Sequence, residues 1–190
     1  MSEMPLTEDD RTVDPFDAEV AEDVARDVRS FLETVDAIAI GEAGDASVAL
    51  LLLDVARICV AGAQLGARRD VILETNVEPV VGEASVELDD VRQGLARQLG
   101  DVDAYLEVFD PYGDEPPTEM LLSDDVAVVA QDLLHGLRHY DAGRQREALW
   151  WWQFTYLNSW GGPAGAALRA LQSIVAHARL DAVVEEVAEV

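Results

Sequence analysis

Phe16, Val20, Val24, Val28, Phe31, Leu32 and Val35 recur at three- and four-residue spacing. This spacing puts large apolar side chains on one stripe of an α-helix, whereas a strand would scatter them over both faces. It predicts a helix over 16–40. A stripe of Val91, Leu95 and Leu99 predicts a helix over 85–99, and Leu168, Leu171, Ile174, Val175 and Ala178 predict one from Pro163 onward. An apolar run predicts a helix from Ala46 to about Leu65, and start and stop residues predict helices over 123–141 and 144–160. No window shows the two-residue alternation of a half-buried strand. A chain patterned in this way buries its apolar stripes by packing helix on helix.

Glycines separate these stretches. Gly41 and Gly44 close the first helix, Gly66 the second, Gly100 the third, Gly143 the fourth and Gly161-Gly162 the tryptophan-rich fifth. Asp45 is placed to cap the second helix, and Ser123 to start the fourth. The second helix is apolar nearly all round, which predicts a central position. Residues 67–86 hold Pro79 and Gly82 without a clear period and read as a loop. Asp101 is placed to cap a short helix through Tyr105, Leu106, Val108 and Phe109. Asp110-Pro111-Tyr112-Gly113 then reads as a turn, and Pro116-Pro117 as an extended segment. The expected architecture is all-α: a single-domain bundle of about six to eight helices over residues 16–180. A disordered acidic N-terminus, 1–15, precedes it and an acidic extension, 181–190, follows.

Charge separates the chain a second way. The 190 residues carry 38 acidic and 13 basic side chains, a formal net charge of −25, and every basic residue is arginine. Residues 74–125 alone hold fifteen acids and two arginines, whereas 126–180 hold three acids and five arginines. A surface this acidic disfavours direct contact with nucleic acid or an anionic membrane, both of which need a basic footprint. The high acid content also suits a halophile, where dense carboxylates meet high salt. The single cysteine, Cys59, excludes a disulfide framework within the chain. The acidic start does not resemble a signal peptide, and the longest apolar run, Ala46 to Leu53, falls short of the roughly 20 residues that span a bilayer. The expectation is a cytoplasmic protein with no membrane association.

All four tryptophans fall between Trp150 and Trp160, within the stretch of positive balance. On a helix, Trp150, Trp151 and Trp152 spread over about 200°, so one face cannot bury all three. The expectation is that Trp150 and Trp152 are core and that Trp151 lies on a more polar face, exposed or lining a pocket. Buried indoles need a partner for their N–H, which Gln153, Tyr156, Asn158 and Ser159 are near enough to supply. Trp151, Asn158, Arg144 and Arg146 are therefore candidates for an interaction surface, since tryptophan beside arginine is a frequent binding composition. Asp54 and Arg57 interrupt the apolar second helix at i, i+3. If buried they must pair, with each other or with Gln153, Arg169 or Tyr156, and they form a second candidate pocket. Asp132, His135 and His139 fall at i, i+3 and i+7 of one helix and are weak metal candidates. The carboxylate could add a third ligand, but there is no HExxH or second such motif, and Gly136 and Arg138 intervene. No phosphate-loop, dinucleotide, serine-hydrolase or paired-cysteine motif occurs, so nothing positive supports catalysis or a cofactor.

LLLLDVARICVAGAQLG, DVDAYLEVFDPYG, HGLRHYDAGRQREALWWWQFTYLNSWG and AALRALQSIVAH together resemble the family called domain of unknown function 5063, found in high-GC bacteria. The resemblance covers about residues 20–180. It implies an all-α domain and carries no catalytic or binding residue. It also implies a gene neighbourhood near a recombination mediator, hence a link to DNA recombination or repair proteins. Gly136, Gly143 and Ala148 further resemble the small positions of one tetratricopeptide hairpin, although one unit does not make an array. The functional expectation is a non-enzymatic helical module that binds another, basic protein. The alternative is a small-ligand or metal site, enzymatic or not, inside the bundle.

Overall fold

The computed structural model of the protein describes residues 15–73, 84–108, 112–114 and 116–188. The expected disordered segment, 1–15, lies outside these apart from Pro15, as do half of the loop expected over 67–86 and the start of the turn at Asp110-Pro111. The first helix, α1, spans Pro15–Ala39, and its stripe of Ala21, Val24, Ala25, Val28, Phe31, Val35 and Ile38 is buried. Gly41, with φ +85°, turns the chain. A 3-10 turn over Gly44–Ala46 then leads into α2, Ser47–Gly66. Asp45 does not cap α2. The hydroxyl of Ser47 instead donates to the Gly44 carbonyl at 2.7 Å.

α3 spans Ala84–Leu99 and ends in a 3-10 turn, Gly100–Val102. Among the described residues, a strand stands in place of the expected short helix. Ala104–Glu107 forms β1, which pairs antiparallel with β2, Thr118–Leu121, so that Ala104 faces Leu121 and Glu107 faces Thr118. α4, Leu122–Asp141, follows β2 directly, and its N-terminus is capped from a distance. The carboxylate of Asp103 accepts the Ser123 N–H and hydroxyl, both at 2.8 Å. Gly143, with φ +76°, reverses the chain into α5, Gln145–Thr155.

α5 does not stop at Gly161-Gly162. One π-helical turn, Tyr156–Trp160, joins it to α6, Gly161–Ala188. Pro163 has no N–H to give to the preceding turn, and the extra residue of the π turn opens the hydrogen-bond ladder where the proline would otherwise break it. Among the described residues, the six α-helices therefore form five rods, below the six to eight expected. The acidic C-terminal residues through Ala188 extend α6.

The central helix is α4, which packs against α1, α3, α5 and α6. α2 packs on α1 and α6 through one side only. Its other side leaves Leu53 and Val60 56% and 59% exposed, contrary to the central position its composition suggested. Over Gly44–Gly66 it is long and apolar enough to cross a membrane, with mean hydropathy 1.9, yet 39% of that window is buried against the rest of the protein.

Candidate functional site

The tryptophan segment is placed by a close approach of two helices. Gly136 on α4 has no side chain, and the Trp152 indole occupies the space: a Cβ there would lie 2.1 Å from Nε1. Trp152 is fully buried, and its N–H donates to the Leu133 carbonyl at 3.0 Å. The partner is thus backbone of the facing helix, rather than a side chain of its own segment. Ala148 is buried beside it, so Gly136 and Ala148 do serve as the small positions of a hairpin, while Gly143 serves only the turn. Trp160 is buried as well, reaching with Tyr156 over Gly62 of α2.

Trp151 points between the helices toward α4. Its ring stacks on His135, with centroids 4.0 Å apart at 27°, and lies 6.2 Å from that of His139. His139 is fully buried, and its Nδ1 lies 2.9 Å from the Glu147 carboxylate, which also accepts from Arg144 at 3.0 Å. Arg144 therefore helps lock the hairpin. Asp132 lies one turn before His135, and among the described residues its buried Oδ2 has no hydrogen-bond partner. Burial raises its carboxyl above the ordinary 3.8, against a smaller opposing effect of the nearby Ser159 hydroxyl. Burial, then the neighbouring His139 and Arg138, lowers His135 from its ordinary 6.5, so at neutral pH Trp151 covers a neutral ring. Among the described residues, no three His, Cys, Asp or Glu side chains are grouped to hold a metal ion.

Trp150 differs from its expected core position. It is half-buried and stacks on Phe154, with centroids 5.1 Å apart at 6°, and meets Trp151 edge-on at 5.8 Å. Phe154 and Leu157 continue this face outward, 49% and 64% exposed. Leu157 also lies against Gly66 at the end of α2. The result is an aromatic ridge along α5 and the π turn, and Asn158 is exposed in that turn.

Asp54 and Arg57 belong to a different set of contacts. Asp54 is 4% exposed and accepts from Arg57 at 2.7 Å, from Thr34 of α1 at 2.5 Å and, more weakly, from Ser30 at 3.4 Å. Arg57 keeps its head in solvent. This satisfied carboxylate fastens α1 to α2 and does not join the histidines. Arg169 pairs instead with the buried Glu107 of β1. Burial raises the Cys59 thiol, which makes it a poor nucleophile.

Gln153 has a role the sequence did not reveal. It is buried. Its Nε2 donates to the carbonyls of Leu65 and Arg69, at 2.9 and 3.2 Å, and its Oε1 accepts the Val71 N–H at 2.8 Å. One amide thus pins the chain leaving α2 onto α5. The available signal was a lone amide inside an aromatic run, in line with Arg146 and Leu149 at helical spacing.

With this geometry in hand, the family model for a domain of unknown function, DUF5063, matches residues 17–177. The chain belongs to the DUF5063 family. A crystal structure of protein BF1032 from Bacteroides fragilis is similar in fold, with a TM-score of 0.63 and 18% sequence identity, over 83% of this chain and 90% of that one. No curated protein matches the sequence.

Proposed function

We propose that this DUF5063 chain is a non-enzymatic helical interaction module, which docks a partner protein on the outer face of α5 and the π turn. The observation behind this reading is the ridge of Trp150, Phe154 and Leu157. Two large apolar side chains stand half or more in solvent, on a rigid helix anchored by a fully buried tryptophan. Rigid aromatic side chains bind at low entropic cost and are enriched at the centre of interfaces. The segment bearing them, 126–180, is the one with a positive balance in a chain of net charge −25.

The partner we favour has a basic surface around an apolar seat, as a nucleic-acid-binding protein of recombination or repair would. The acidic remainder of this chain steers such a partner during approach, and the ridge supplies the contact. A cytoplasmic setting belongs to the same proposal. The test is capture from native lysate by wild type and by the Phe154→Ser/Leu157→Ser double variant. Both positions are exposed, so the variant should keep its melting temperature within a few degrees. We expect a discrete partner to be captured by wild type and lost with the variant. Equal capture by both proteins contradicts the reading.

A further inference from the structure

A cavity of about 500 Å³ lies between the end of α2, the segment that follows it and the start of α5. Its walls join two kinds of surface. Leu65, Leu149 and the exposed Ile72 contribute apolar lining, and Arg68, Arg69 and Arg146 line the same space. The wall is held in place by Gln153, whose amide bonds to Leu65, Arg69 and Val71.

The charges make this place unlike the rest of the molecule. Arg68 bridges to Asp17 of α1 at 3.1 Å, and Asp70 is a second acid in the lining. Against those two stand three arginines, in a chain with 38 acidic and 13 basic side chains. With carboxylates so abundant, arginine pairing is easily met, as Arg26, Arg29, Arg57, Arg92, Arg144 and Arg169 illustrate. Among the described residues, Arg69, Arg97, Arg138, Arg146 and Arg179 are in no ion pair, and of these Arg69 and Arg146 line this one cavity together. Two unpaired guanidiniums beside an apolar floor match an oxyanion joined to an apolar body, because the planar fork of arginine suits carboxylate and phosphate oxygens.

We infer that this cavity is a binding site for a small amphiphilic oxyanion, a carboxylate or phosphate carried on a short apolar group. Arg69 and Arg146 hold the anionic head, Arg68 adds to the field while tied to Asp17, and Leu65, Leu149 and Ile72 receive the apolar part. The lining includes none of Trp150, Phe154 and Leu157, so cavity and ridge use different side chains of α5 and the π turn.

The test is a titration of the full chain with inorganic phosphate, hexyl phosphate and hexanoate, read by calorimetry and by the NMR signals of the arginine Nε–H groups. Hexyl phosphate should bind, shifting the signals of Arg69 and Arg146, and roughly tenfold or more tighter than inorganic phosphate because its chain is buried. Hexanoate binding as tightly as hexyl phosphate assigns the head as carboxylate, and weaker hexanoate binding assigns it as phosphate. The Arg69→Gln/Arg146→Gln variant alters two exposed side chains, so it should melt with wild type and lose roughly tenfold or more in affinity. Unmoved Arg69 and Arg146 signals, or equal affinity in the folded variant, overturns the site. Phe154→Ser/Leu157→Ser should bind hexyl phosphate as wild type does.

Discussion

Trp152 fills the space left by Gly136, and its N–H is satisfied by the backbone of the facing helix. Replacing it with alanine opens a large cavity and frees a buried carbonyl of one partner, so Trp152→Ala should cost roughly 3–5 kcal/mol in urea denaturation. Trp151→Ala removes a half-buried ring stacked on His135 and should cost well below that. Equal losses at both positions would contradict the facial assignment. The groups under Trp151 also carry a pH dependence. Asp132 has a raised folded-state value, so the folded chain retains its proton longer than the unfolded one. Its contribution is fullest below the ordinary 3.8 and is lost as pH rises through the raised value. His135 is lowered, so its contribution is full above the ordinary 6.5 and is lost as pH falls through the lowered value. Against wild type, Asp132→Asn should therefore gain stability from about pH 4 upward, and His135→Gln from about pH 6.5 downward. Denaturation midpoints across pH check both slopes, and flat differences would refute the assigned environments.

At the scale of elements, Asp103 ties the β-hairpin to the central helix by accepting two hydrogen bonds at the start of α4. Asp103→Ala should cost about 1–2 kcal/mol, measured by chemical denaturation, as the loss of a helix cap does. Amide exchange should rise first in the initial turn of α4. The hairpin itself was not legible, and the reason is physical. In β1 Ala104 and Leu106 face outward, Leu106 at 67% exposed, and the inward positions are Tyr105 and Glu107, the latter paired with Arg169. An exposed leucine and a buried glutamate blur the alternation, so it does not read as a strand. The helices were legible because α1, α3 and α4 have apolar stripes that match their buried faces. α2 was misplaced because its apolar arc is wider than the surface available to cover it. The end of α5 was misread because Gly161 and Gly162 look like a stop, while one π turn carries the helix past them and past Pro163.

At the scale of the whole molecule, the net charge of −25 acts against compactness. Raising sodium chloride from tens of millimolar to about one molar should raise the denaturation midpoint, since salt screens repulsion over distances beyond about a Debye length. A fall would mean that attractive surface pairs dominate. The family and the all-α architecture could be reached from the chain's motifs and periodicity. The candidate sites were legible only in part. Asp54 with Arg57, and Trp151 with its histidines, could be read as pairs at helical spacing, but not that they have separate partners. The outward turn of Trp150, with Phe154 and Leu157 beyond it, depends on which faces α4 and α2 cover, and spacing along one helix does not carry that information. The central claim is that this ridge is a docking surface. Its most direct test places a photo-crosslinking amino acid at Phe154, and in a separate variant at the exposed Glu42, in cells of the native host. The account predicts a discrete adduct with another protein from position 154 and none from position 42. No adduct from 154, or the same adducts from both positions, would contradict it.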